Sequence, residues 1–268
     1  MGKNSNDNMS FLEHLEELRW HIIRSLFAIL CAGLVCFFLK DFIFDTIIFG
    51  PKNMDFPTYK FLCQAATFIG VETSFCGDEF PFLIQNRMIG GQFSVHITTS
   101  IIAGFIISFP YILYEFWKFV SPGLLNKERV QSKLFIFSCS LLFFIGVLFG
   151  YYVICPLSIN FLGNYQISNI PENHIDLGNY IGFIRSASLG SGFIFELPII
   201  IYFLSRAGIV NPDSLIKYRK YAIVLILILA ALITPPDMFS QIILAIPLLI
   251  LYQIGIFISR IVNGNKTK

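Results

Sequence analysis

Six apolar runs dominate the sequence, at about 21–39, 93–117, 134–156, 179–204, 221–233 and 239–258. A lipid interior offers no water to satisfy backbone N–H and C=O groups, so a run that crosses it must be a helix or part of a closed barrel. None of these runs alternates apolar and polar residues as an outer-membrane barrel strand does. The expectation is an all-α polytopic membrane protein with six transmembrane helices in one membrane domain. Composition agrees: charged residues make up 13% of the chain, about half the ~25% of a soluble domain.

The runs are not equivalent. The first, Ile22 to Leu39, has no small-residue cleavage site after it and reads as a retained span rather than a secretory signal. The fifth, Tyr221 to Ile233, rises about 20 Å against a hydrocarbon core of about 30 Å. Pro235 and Pro236 then stop it. The short fifth and sixth helices read as a hairpin that thins the bilayer or is sheltered by other helices. A re-entrant pair that never crosses is the alternative.

Basic residues set the orientation. Assigning the N-terminal tail, the 118–133 and 205–220 loops and the C-terminal tail to one side gathers fourteen of the 19 Lys and Arg residues there. That side is cytoplasmic by the positive-inside rule, which puts both termini inside. The largest hydrophilic segment, about 40–92, then lies outside. Within it, Phe42–Phe49 reads as an interfacial helix ended by Gly50-Pro51, and 55–91 as a small cap. Cys63 and Cys76 both fall in this loop. An oxidising exterior permits a disulfide between them, and two free thiols fit equally.

Polar residues in unusual places carry the functional information. Ahead of the first span, Leu12, Leu15 and Leu18 share one helix face, while Glu13, Glu16, Glu17 and Arg19 fall elsewhere. Acidic residues are concentrated where basic ones normally set topology. After the second run, Ser121-Pro122-Gly123-Leu124 breaks the helix, and Glu128 falls near the next helix start. There it either meets the helix dipole or receives a cationic ligand. Carboxylates take guanidinium bidentately, so Glu17 and Glu128 from separate segments suit a pair of arginines. Glu196 lies inside the fourth run, between Gly190, Gly192 and Pro198. A carboxylate there faces protein or water, and the kinked span around it points to a concave, partly wet cavity. Its alternative role is to hydrogen-bond a neighbouring helix. His14 and His21 flank the first helix and read as surface or interfacial residues.

Several motifs together resemble the TatC family, the multispanning receptor of the twin-arginine protein translocase. They are His14-Leu-Glu-Glu-Leu-Arg19, Tyr111 to Leu124 with Lys127-Glu-Arg129, Phe195-Glu-Leu-Pro198, Thr234-Pro-Pro-Asp-Met-Phe-Ser-Gln241 and Ala245-Ile-Pro247, in that order. The resemblance covers nearly the whole chain outside 52–92, where this loop is enlarged relative to the family pattern. It implies that Glu17, Arg19, Phe119, Pro122 and Glu128 bind the signal peptide. Glu196 and Gln241 would dock single-span partners of the TatA/TatB type in the membrane, while Pro51 and Asp237 are loop residues. Asp237 has its own physical reading as a cap for the sixth helix. The implied protein is a non-enzymatic subunit in a bacterial inner membrane, driven by the proton-motive force and without a cofactor. Its partners are twin-arginine precursors, TatA/TatB-type subunits and further copies of itself, not nucleic acid.

Two other classes of membrane protein fit the sequence less well. A small-solute carrier with Glu196 as its ion site lacks the internal repeat that many such carriers show. A membrane enzyme lacks a catalytic constellation: no phosphate-loop, Gly-x-Ser-x-Gly or His-Glu-x-x-His pattern occurs, and no His or Cys spacing suits a metal.

Overall fold

The computed structural model describes residues 11–70, 76–77, 80–120, 132–168, 173–233 and 238–264. Among them are the helices α1 (Phe11–Phe38), α2 (Pro57–Ile69), α3 (Gly91–Val120), α4 (Ser132–Phe149), α5 (Cys155–Asn164), α6 (Leu177–Phe195), α7 (Leu197–Arg206), α8 (Pro212–Lys217), α9 (Arg219–Ile233) and α10 (Met238–Gly264). Among the described residues five stretches are long and apolar enough to cross a membrane: His14–Phe38, Gly91–Val120, Phe135–Asn164, Leu177–Arg206 and Gln241–Asn263. The protein is therefore an all-α polytopic membrane protein. The short fifth run forms α9, whose 15 residues rise about 22 Å.

Residues 1–38 and 100–140 form one compact unit. Here the backbones of α1 and α3 come close together at Gly33 and Gly104. A methyl group on Gly104 would lie 2.7 Å from the Gly33 Cα and from the Ile29 carbonyl oxygen, which no side chain tolerates. Lower along the pair, Ser108 Oγ donates to the Ala28 carbonyl at 3.1 Å. Small residues at the crossing let helices without a hydrophobic driving force gain dispersion and polar contacts. Much of the rest of α1 is apolar and exposed, including Phe27, Leu30, Leu34 and Phe38, as expected of a surface that meets lipid.

Residues 39–99 and 141–268 form the second unit. One seam uses the same device: a Cβ on Gly146 would lie 2.9 Å from the Gly192 Cα, and one on Gly150 would lie 2.8 Å from the Ser188 Cα. The chain passes from α4 to α5 through a π-helical turn, Gly150–Ile154. At the α7–α10 contact Ser205 and Ser259 hydroxyls pair at 2.7 Å, both fully buried. Gly255 lets α10 close on the Ile201 side chain. Gln241 at the start of α10 donates to the Leu227 carbonyl of α9 at 3.0 Å.

The 40–92 segment has more structure than an interfacial helix and a cap. Phe42–Ile48 is π-helical, and a 3₁₀ turn at Gly50–Lys52 follows. Tyr59 of α2 is fully buried, and its hydroxyl lies 2.8 Å from the Pro51 carbonyl and 3.0 Å from that of Pro156. Burial first, then the neighbouring Tyr180 and Cys155, push this phenol above its ordinary pKa, so it remains a donor. Strand β1 (Phe82–Gln85) pairs in parallel with β2 (Asn173–Asp176), Phe82 opposite Asn173 and Gln85 opposite Asp176. Cys63 and Cys76 are joined as a disulfide with Cα atoms 5.2 Å apart.

Candidate functional site

The first unit holds a polar cluster where α1 and α3 face each other. His21 Nδ1 lies 2.5 Å from Glu115 Oε2, a contact that requires a proton between the two atoms. Arg24 adds a guanidinium nitrogen 3.8 Å from the same oxygen. Tyr111, one turn before Glu115 on α3, donates its hydroxyl to the carboxylate. Glu115 is 3% exposed, so this carboxylate is held inside an apolar helix by three donors of different reach. That arrangement fits a buried charge, which needs pairing and hydrogen bonds to be tolerated.

Aromatic contacts extend the cluster toward the N-terminal end of α1. The Phe119 ring stacks on His14 at 4.4 Å between centroids and meets His21 edge-on at 6.1 Å. His14 and His21 are seven residues apart and share a face of α1, and Glu17 falls between them on that stripe. Glu17 is half-buried and Arg19 exposed. Trp117 packs against Phe135 at 4.5 Å. The result is a cluster in which Glu115 meets His21 and Arg24, Phe119 stacks on His14, and Glu17 lies on the same stripe of α1 as both histidines.

Two of the sequence-derived positions for this site, Pro122 and Glu128, lie outside the described residues, as does Asp237. His21 corrects the sequence reading: it is not a surface residue but has an 11% exposed side chain, because its partner lies 94 residues away on α3. Sequence reasoning passed over Glu115 as a binding residue. The available signal was its spacing from Tyr111, with His21 and Arg24 similarly one turn apart, each pair placing polar groups on one stripe of an apolar helix.

In the second unit, Glu196 is half-buried at the junction between α6 and α7. The helix breaks there: Glu196 N–H bonds to the Phe193 carbonyl in a 3₁₀ turn at 3.1 Å, and the Glu196 carbonyl accepts from Ile199 and Ile200. Pro198, without an N–H, accounts for the interruption. Gln241 and Pro51 are placed by the Leu227 and Tyr59 bonds above. Among the described residues no group of three His, Cys, Asp or Glu side chains could hold a metal ion.

These features define a polytopic helical membrane protein with carboxylates gathered at a helix pair. Residues 13–247 match the family "Sec-independent protein translocase protein (TatC)", and the chain belongs to that family. It is a component of a protein translocase, a transport subunit. The chain is 45% identical over 265 residues to the Sec-independent protein translocase protein TatC of Blattabacterium sp. subsp. Periplaneta americana, covering 98% of this chain and all of that one. Against the Aquifex aeolicus TatC the identity is 33%, covering 96% and 98%. A crystal structure of the twin-arginine translocase receptor TatC matches with a TM-score of 0.70 at 29% identity, over 94% of this chain and all of that one. A second, in the detergent DDM, gives 0.72 at 31%, covering 91% and 98%.

Proposed function

We propose that this chain is the receptor and core subunit of a twin-arginine translocase in a bacterial inner membrane. It crosses the membrane six times with both termini in the cytoplasm. It binds twin-arginine signal peptides of folded precursors through Glu17, Phe119 and Glu115, with Arg19, Pro122 and Glu128 completing the site. It nucleates assembly with TatA/TatB-type single-span subunits and further copies of itself, at the membrane positions marked by Glu196 and Gln241. The proton-motive force drives transport. The observation that carries this reading is the buried Glu115 beside His21, with Phe119 stacked on His14, on the α1 stripe that also holds Glu17.

The chemistry is competition between guanidinium groups. Glu115 already holds a hydrogen bond to His21 and faces an Arg24 whose side chain is half-exposed. An incoming arginine replaces the distant Arg24 contact with a bidentate one, while a lysine ammonium lacks the planar fork. The test is photocrosslinking from position 17 to a precursor with an Arg-Arg signal, compared with its Lys-Lys counterpart. A crosslink with Arg-Arg that is lost with Lys-Lys supports the reading. Equal crosslinking of both, or none from correctly inserted protein, overturns the assignment of guanidinium recognition to this face.

A further inference from the structure

A second charged site lies in the other unit, where the 40–48 segment meets the first turns of α3 and α6. A cavity of about 540 Å³ opens there, lined by Lys40, Asp41, Asp45, Gln92 and His96 above an apolar wall of aromatic and aliphatic side chains. Phe44 packs edge-on against His96, with centroids 5.5 Å apart. The cavity is charged with both signs: Lys40 supplies a cation, and Asp41 and Asp45 supply carboxylates four residues apart on one segment. Such a lining does not suit a simple anion, which the two carboxylates repel, nor a simple cation.

Arg185 lies beyond the lining residues. Ile181 lines the cavity, and Arg185 is the next residue on that stripe of α6, one turn further in. It lies eight residues from Leu177, about 12 Å along the helix and within a stretch long enough to span. One of its guanidinium nitrogens donates to Thr98 Oγ1 of α3. Its Nε is buried and meets no hydrogen-bond acceptor among the described residues. Among the described residues no carboxylate forms an ion pair with Arg185. A guanidinium at this level of a bilayer reaches outward for an anion. The anion that a bilayer itself offers at that level is the lipid phosphodiester.

We propose that this cavity and Arg185 bind the headgroup of a zwitterionic aminophospholipid in the leaflet that borders the 40–92 segment. The phosphodiester sits toward Arg185 and Lys40, and the primary ammonium, with three donors, sits between Asp41 and Asp45. A trimethylammonium headgroup has no N–H to donate, and a glycerol headgroup has no positive charge, so both are bound less well.

The experiment uses the full chain in detergent micelles, with lipid retention read by native mass spectrometry. Dioleoyl phosphatidylethanolamine, phosphatidylglycerol and phosphatidylcholine compete at equal concentration. The expected result is retention of the ethanolamine lipid over both others by about fivefold or more, equivalent to about 1 kcal/mol. Arg185→Gln lowers retention of all phospholipids. Asp41→Asn with Asp45→Asn erases the preference for ethanolamine while phosphatidylglycerol is still retained. Both aspartates are exposed, so this variant decides the matter even where Arg185→Gln fails to fold. Free phosphoethanolamine displaces the lipid, and displacement by inorganic phosphate at the same concentration would overturn the zwitterion match. Equal retention of the three lipids by the unaltered chain, or an undiminished preference in the aspartate variant, would also overturn the proposal.

Discussion

Removing His21 tests whether the α1–α3 pair depends on the polar cluster. In His21→Leu, Glu115 loses the 2.5 Å contact and keeps Tyr111 and a guanidinium 3.8 Å away. A hydrogen bond to a charged group contributes about 1.5–3 kcal/mol, and breaking a buried pair costs about 3–5 kcal/mol. Because the Arg24 side chain is half-exposed, its attraction is solvent-screened and offsets less than about 1 kcal/mol of the loss. The expected cost is about 2–3 kcal/mol. In Glu115→Leu an imidazole is left nearly buried without its partner, at about 1–2 kcal/mol. The double variant replaces both by apolar side chains and should cost less than about 1 kcal/mol. The two substitutions are therefore coupled by more than about 2 kcal/mol, where independent sites agree within about 0.5. The chain has two tryptophans, Trp20 and Trp117, and both lie in this unit. Their fluorescence during SDS titration in mixed micelles reads the unit directly. Additive losses would refute the reasoning, because they would mean that His21 and Glu115 do not hold each other.

Other substitutions have equally definite outcomes. Gly104→Ala forces a methyl into the Gly33 backbone and should cost about 1–3 kcal/mol in the same titration, whereas Gly70→Ala, with open space around its Cβ, loses only what its left-handed φ of 77° imposes. Tyr59→Phe strands the Pro51 and Pro156 carbonyls and should lower stability by about 1–2 kcal/mol, measured as a shift in the thermal unfolding midpoint of the purified protein. Cys63→Ser opens the staple at a sequence separation of 13, for an expected loss of about 3 kcal/mol by loop entropy. A gel-shift assay with a thiol-reactive tag, run with and without reductant, checks that the bond was present. Gln241→Leu frees the Leu227 carbonyl and should cost about 1 kcal/mol, read as a lower thermal unfolding midpoint of the purified protein.

The apolar runs made the helices legible because lipid leaves the backbone few options, and Pro198 gave away the break beside Glu196. The pairing of Phe82–Gln85 with Asn173–Asp176 was not legible. A four-residue strand carries little pattern, and its partner is about ninety residues distant. The π-helical segments at Phe42–Ile48 and Gly150–Ile154 also left no mark, since a π turn uses the same residues as an α turn and is set by packing. For the candidate site, Glu17 and Phe119 could be read from motif and charge. Glu115 and His21 could not be joined, because periodicity assigns each a face but says nothing of which faces meet.

The α1–α3 pair is fastened at three heights: Gly33 against Gly104, Ala28 to Ser108, and His21 to Glu115. A slide of one helix along the other by a single turn, about 5.4 Å, would break all three fastenings at once and leave only Ser108 a new backbone carbonyl to meet. A smaller slide would drive the Gly104 backbone into a side chain of α1. The pair therefore has no graded positions. It works like a key seated in its lock, either fully home or withdrawn, and any event that unseats it at the His21 end is felt at the glycine end in the same instant.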